Sequence, residues 1–280
     1  MTENGTLHRM TAFSDTPAGG NPAGVWVGDA LPAAGRMQAL AAEVGYSETA
    51  FVAPAAGMAR EVRYFSPARE VTFCGHATIA AGAVLGCGDE PATYRLSTRA
   101  GIVPVTVRLA DDNYQVSLTS VATRHTGVPE AALDEFLRTL GWSRADLDTT
   151  IQPAFAYAGA WHLVLAAAEG ERLASLAYDF ERLREQMSEA GLTTLQLVWR
   201  EHDTLFHSRN PFPVGGVVED PATGAAAAAL GGYLRDAALI EPPVVFEVRQ
   251  GYAMGRPSRL TVAVPPDGGV EVSGTAVAIE

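Results

Sequence analysis

Two ten-residue stretches, ATIAAGAVLG at 77–86 and ATGAAAAALG at 222–231, carry small or apolar side chains on every face. A helix without a polar stripe has nothing to present to water, so other elements must enclose it on all sides. Its alanines and glycines let neighbouring backbone come close. The chain must therefore fold around two internal helices, each wrapped by sheet. The stretches also match each other: placing Ala77 and Thr78 on Ala222 and Thr223 brings Leu85 onto Leu230 and Gly86 onto Gly231. Each follows a strand-like run and a turn containing Arg and Pro, Arg63 to Pro67 and Arg209 to Pro213. This predicts an internal duplication into halves at 1–123 and 124–280. VATRHTGVP at 121–129 reads as a linker, and the final strand is free to cross back to the first half.

Around these stretches the pattern alternates strand and helix. Met37, Leu40, Ala41 and Val44 recur at helical spacing and predict an amphipathic helix over 33–44. Leu133, Phe136, Leu137 and Leu140 predict a second after Pro129, and Leu173 to Met187 a third that stops near Gly191. Strands are predicted at 7–13, 49–53, 60–65, 93–98, 102–109, 113–118, 161–167, 194–200, 203–208, 244–249, 258–264 and 270–279. Asn21 to Gly24 reads as a turn before a strand at Val25. The fold class is α/β (α+β), built from two pseudo-symmetric halves, each a barrel-like sheet around a buried helix.

Composition limits the chemistry. Nearly half of the 280 residues are apolar and 19% are charged, enough to bury a substantial core. A net charge of -12 argues against nucleic acid and anionic membrane surfaces as partners. The first twenty residues lack a basic segment followed by an apolar run, so no secretory leader is expected, and a cytoplasmic location follows. All 20 basic residues are arginine. Without lysine there is no Schiff base to pyridoxal phosphate and no P-loop. Two cysteines, Cys74 and Cys87, make neither a disulfide framework nor a four-ligand zinc site, and no HxxxH or HxH spacing supports a metal. Carboxylates, histidine, thiols, hydroxyls and backbone dipoles remain.

The starts of the buried helices hold the candidate site. Asp220-Pro221 reads as an N-cap and first helical residue, and Gly75 as a permissible cap before His76 and Ala77. Both helix starts offer N–H groups and a partial positive charge to an anion. Capping alone explains Asp220, and a lone histidine such as His76 is more often structural than chemical. Glu48, in Ser47-Glu48-Thr49-Ala50-Phe51-Val52, has apolar neighbours, a setting suited to taking and returning a proton. The bland alternative is a surface glutamate at a strand edge. Cys74 reads as a packed turn residue.

Taken together, GNPAGV at 20–25, SETAFV at 47–52, RYFSPAREVTFCGHAT at 63–78 and NPFPVGGVVEDPATGAAAAA at 210–229 resemble the PhzF-like family, the phenazine-biosynthesis-type isomerases of diaminopimelate epimerase-like fold. The motifs run in order along nearly the whole chain. The resemblance implies a cleft between two halves, a homodimer, a small carboxylate-bearing substrate and no cofactor. It implies that Glu48 is the proton-transfer acid/base, with His76 and Asp220 lining the site. Backbone groups around Gly75, Ala77, Thr223, Gly224 and Ala225 would then hold the substrate carboxylate. One position departs from the family: DPATG usually continues with a substrate-contacting serine, and here the residue is Ala225. The phenazine precursor is therefore not the expected substrate. The functional expectation is a cofactor-independent isomerase that relocates a proton. Its alternative is a non-catalytic small-molecule-binding or interaction member of the same fold. A two-thiol racemase is disfavoured, since the second half contains no cysteine.

Overall fold

The computed structural model describes residues 4–88, 90–110 and 112–279. The chain divides into two compact units: the described residues of Met1–Thr119 with Ser273–Glu280, and Ser120–Val272. The first contains β1 (Gly5–Ala12), β2 (Asn21–Gly28), α1 (Ala34–Val44), β3 (Glu48–Pro54), β4 (Ala59–Phe65) and β5 (Glu70–Val71). These are followed by α2 (Gly75–Leu85), β6 (Ala92–Thr98), β7 (Gly101–Ala110) and β8 (Asn113–Thr119). The second contains β9 (Arg124–Gly127), α3 (Glu130–Leu140), β10 (Ala154–Tyr157), β11 (Trp161–Ala166), α4 (Gly170–Ala174) and α5 (Phe180–Glu189). Then come β12 (Thr194–His202), β13 (Leu205–Phe212), β14 (Val217–Asp220), α6 (Gly224–Asp236), β15 (Val244–Gln250) and β16 (Ser258–Val264). The last strand, β17 (Glu271–Ala278), begins in the second unit and runs into the first.

In the first unit β1, β2, β3, β4, β6, β7, β8 and β17 pair in that order, and β17 pairs again with β1, closing a ring. The β2–β3 and β4–β6 pairs are parallel and the others with a printed register antiparallel. Packed against β1, β2, β3, β7 and β8, α2 is the central helix. In the second unit β9, β10, β11, β12, β13, β15 and β16 follow in order, with the parallel pairs at β11–β12 and β13–β15. There α6 packs against β9, β10, β11, β12 and β16. Both units are thus mixed barrel-like sheets around a buried helix, the diaminopimelate epimerase-like class.

The reason both cores are helices of small residues is visible in their glycines. A Cβ at Gly82 of α2 would stand 2.5 Å from Val116 Cγ1, and one at Gly231 of α6 would stand 2.9 Å from Val264 Cγ2. The separation that relates Gly75 to Gly224, the first residue of each helix, also relates Gly82 to Gly231. The duplication is therefore in a register four residues, about one helical turn, away from the alignment suggested by ATIAAGAVLG and ATGAAAAALG. The outer helices are ordinary amphipathic ones. Met37 and Ala41 of α1 pack with Trp26, Phe51 and Phe65, while Leu133, Phe136, Leu137 and Leu140 of α3 join Leu183 and Met187 of α5 over the second sheet.

Several expectations are corrected. Asn21 to Gly24 is strand, since β2 pairs with β1 along all eight residues from Asn21. VATRHTGVP contains β9, whose exposed residues have no hydrophobic alternation; it is held by pairing with β10 and by Arg124 stacked 4.3 Å above the Tyr157 ring. The single helix expected over Leu173 to Met187 is two. Ser175 Oγ donates back to the Glu171 carbonyl at the end of α4, and Asp179 accepts from the Arg182 N–H to start α5. Among the described residues no helix is long and apolar enough to cross a membrane.

Two predictions follow from this packing. Gly82→Ala should lower stability by about 1–3 kcal/mol through overpacking, whereas Gly35→Ala, with open space at its Cβ, should be neutral or mildly stabilising; urea unfolding of both tests this. His162 on β11 is fully buried with Nδ1 at 2.8 Å from Thr194 Oγ1, and burial pushes its pKa down to about 3. The folded ring stays neutral where the unfolded one gains a proton, so this contribution is intact above pH ~6.5 and is lost as pH falls toward ~3. Between about pH 7.5 and about pH 5 the stability advantage of wild type over His162→Gln should shrink by about 2 kcal/mol. An unchanged gap would refute a neutral buried histidine.

Candidate active site

In the first unit the site forms where β3 begins beside the N-terminus of α2. Parallel pairing sets Glu48, the first residue of β3, opposite Ala23 of β2. Cys74 caps α2 in an extended conformation (φ -146°, ψ 118°) and its side chain makes no capping bond. The first intrahelical bond runs from the Thr78 N–H to the Cys74 carbonyl, so the N–H groups of Gly75, His76 and Ala77 precede the ladder. These N–H groups and the helix dipole give that end a partial positive charge.

The side chains converge there. His76 Nε2 lies 3.5 Å from Glu48 Oε2 and 3.3 Å from Ser47 Oγ, while its Nδ1 lies 3.4 Å from Cys74 Sγ. His76 is buried, and the Glu48 side chain keeps 19% of its exposure, so the carboxylate remains reachable from solvent. Behind them, the Thr78 hydroxyl donates to the Cys74 carbonyl at 2.7 Å, leaving its oxygen to accept from Tyr64 at 2.7 Å. Burial raises the Tyr64 pKa above its ordinary value, which keeps the phenol neutral and donating. The turn is held from outside by Arg63 on β4, which grips both oxygens of Glu70 at 2.7 Å. Arg63 also holds the Glu70 pKa below the usual carboxylate range.

The second unit repeats the frame with different chemistry. Arg209 on β13 makes a two-pronged ion pair with Glu219, through Nε at 3.0 Å and through Nη2. Tyr178, pushed up to about 12 by burial, donates to the Val218 carbonyl. These bonds brace β14, whose last residue is Asp220, paired with Asn210. Asp220-Pro221 does not start the helix: the N-cap of α6 is Thr223, and Gly224 and Ala225 are its first two residues. Likewise Gly75 is a helical residue and Cys74 the cap. The Asp220 carboxylate instead accepts from the Thr223 hydroxyl at 2.5 Å. Gln250 ties this turn together. Its amide donates to the Asp220 carbonyl at 2.7 Å and Thr223 Oγ1 at 2.9 Å, and its oxygen accepts from the Thr223 N–H at 3.2 Å.

Of the expected site residues, Glu48, Gly75, His76 and Ala77 come together in the first unit, and Asp220, Thr223, Gly224 and Ala225 in the second. Sequence reasoning passed over Gln250 and treated Cys74 as mere packing. For Gln250 a signal existed: Phe246, Val248 and Gln250 occupy the buried alternate positions of β15, and an amide there must have a polar partner. For Cys74 none did, because the 3.4 Å approach to His76 depends on the cap conformation.

Comparison with known proteins adds the family. The chain matches the phenazine biosynthesis-like protein family over residues 10–280. It is 29% identical to an uncharacterized isomerase of Bacillus subtilis (strain 168), covering 96% of this chain and 94% of the relative. It is also 29% identical to the trans-2,3-dihydro-3-hydroxyanthranilate isomerase of Pseudomonas fluorescens, over 89% of this chain and 86% of that one. The crystal structure of a Bacillus anthracis phenazine biosynthesis protein of the PhzF family superposes with a TM-score of 0.87 at 23% identity, covering 100% of this chain and 98% of that chain, a match of fold. Matched in sequence along nearly its whole length and in fold throughout, the chain belongs to the phenazine biosynthesis-like protein family and is an enzyme of isomerase type.

Proposed function

We propose that this isomerase relocates a proton on a small carboxylate-bearing metabolite, with Glu48 as the acid/base and no cofactor. The observation that carries the reading is the contact between Glu48 and His76 at the start of α2. It sets a solvent-reachable carboxylate against an imidazole, a few atoms from helix N–H groups able to hold an anion. Glu48 takes the proton from one carbon of the bound substrate and returns it to another, so atoms and charge balance without an outside reagent. His76, held between Ser47 and Cys74, presents its Nε2 edge to the carboxylate and orients it. The N–H groups of Gly75, His76 and Ala77 bind the substrate carboxylate.

We assign Asp220, Thr223, Gly224 and Ala225 a part in substrate binding on the family's motif. The Asp220–Thr223–Gln250 bonds support that reading by fixing the aspartate rather than leaving it as a solvated cap. Ala225 supplies no hydroxyl where the family has serine, which points to a ligand lacking the partner for it. Loss of such a bond in a buried site costs about 1–3 kcal/mol. In this proposal the enzyme works in the cytoplasm as a homodimer, and light scattering tests the assembly.

The chemistry is tested by incubating the protein in deuterated water with a panel of cyclic and aromatic carboxylates, trans-2,3-dihydro-3-hydroxyanthranilate among them. Deuterium should enter at carbon in the true substrate or its product. Glu48→Gln should abolish that exchange, a loss on the order of 10²–10⁴-fold, while changing ligand affinity little. Asp220→Asn should weaken exchange as well. Undiminished exchange in Glu48→Gln sinks the acid/base assignment, and thermal stabilisation by a ligand without label in any case would favour a binder.

A further inference from the structure

We propose that Glu48, Cys74 and His76 form a binding site for a thiophilic divalent cation, Zn2+ above all, which enters through the carboxylate, the thiolate and the imidazole Nε2. The three donors lie within 4.8 Å of one another. Tetrahedral zinc with sulfur, nitrogen and oxygen ligands holds its donors about 3.4–3.6 Å apart. Here Nε2 of His76 is 3.5 Å from Glu48 Oε2, the length of one edge, while Cys74 Sγ is 3.8 Å from Nε2 but 3.4 Å from Nδ1 and must swing toward the Nε2 side to complete the second. Rotation of the Glu48 and Cys74 side chains closes the remaining edge. Both side chains sit at element starts, Glu48 opening β3 and Cys74 capping α2.

The donor set selects the ion. A thiolate with imidazole and one carboxylate suits zinc, whereas magnesium and calcium demand oxygen. Thiolate and carboxylate together carry the two negative charges that neutralise the cation. Three protein ligands leave a fourth position, within reach of Ser47 Oγ, which lies 3.3 Å from Nε2. Binding displaces the thiol proton, so affinity falls as pH is lowered. A bound ion occupies the lone pairs of Glu48 and His76, and so acts as a reversible inhibitor at the proton-transfer site. The site itself does not depend on the catalytic role proposed above.

The test uses the full chain, stripped with chelator and titrated with Co2+. A thiolate-to-cobalt charge-transfer band should grow to saturation at one equivalent and be bleached by Zn2+. It should survive Cys87→Ser and vanish in Cys74→Ser, with zinc affinity reduced at least by the ~10–100-fold that even an outer-shell loss costs. X-ray absorption of the zinc-loaded wild type, which needs no variant to fold, should show one sulfur with nitrogen and oxygen in the first shell. A wild-type shell without sulfur, or a band that persists in Cys74→Ser, overturns the proposal. Either result leaves the deuterium test of Glu48 untouched, so the two readings fail separately.

Discussion

A helix that offers water nothing must be surrounded, and most of this structure follows from that demand. In each unit a strand set encloses such a helix, and closure is tight enough that one methyl group at Gly82 or Gly231 has no room. Small residues let the strands approach, and the approach leaves the helix only its ends to present. The N-terminal end carries unpaired N–H groups and a partial charge whatever side chains are placed there. Packing thus fixes where the chemistry can be before any chemical residue is chosen.

The duplicated frame shows which parts are scaffold. Arg63 on Glu70 and Arg209 on Glu219 are the same device, a strand arginine clamping the arm that leads into the central helix. Both pairs are partly or fully buried and two-pronged, the geometry in which an arginine–carboxylate pair is specific as well as attractive. The residues just beyond the clamps have diverged. One turn gathers a carboxylate, an imidazole and a thiol; the other gathers an aspartate, a threonine and a glutamine amide.

Much of this was legible in the sequence, because burial on all sides leaves a compositional trace. ATIAAGAVLG and ATGAAAAALG announced the central helices, and SETAFV, CGHAT and EDPATG marked the turns beside them. The misreadings have a common cause, which is that pairing with a neighbour outweighs local preference. Asn21-Pro22 reads as a turn yet lies in β2, since β1 supplies a partner for the whole length. Arg124 to Gly127 has no alternation to betray a strand, and Asp220-Pro221 looks like a helix start but ends β14. The repeat register slipped by a turn because a run of alanines fits itself at several offsets, and only Val116 and Val264 reveal which glycines correspond.

The crossing of β17 gives synthesis of the chain a direction. The ring that presents Glu48 and His76 is closed by a strand made after all of the second unit, pairing Met10 with Ala278 and Ala12 with Ala276. While the second unit is being synthesised, β1 and β8 wait with unpaired edges. Contacts of such long sequence separation form late. An exposed strand edge is a template for another chain, so the second unit, complete through Val272, is the part able to fold while the first is still open. The turn that carries Glu48 and His76 is therefore synthesised early but secured last, when β17 emerges.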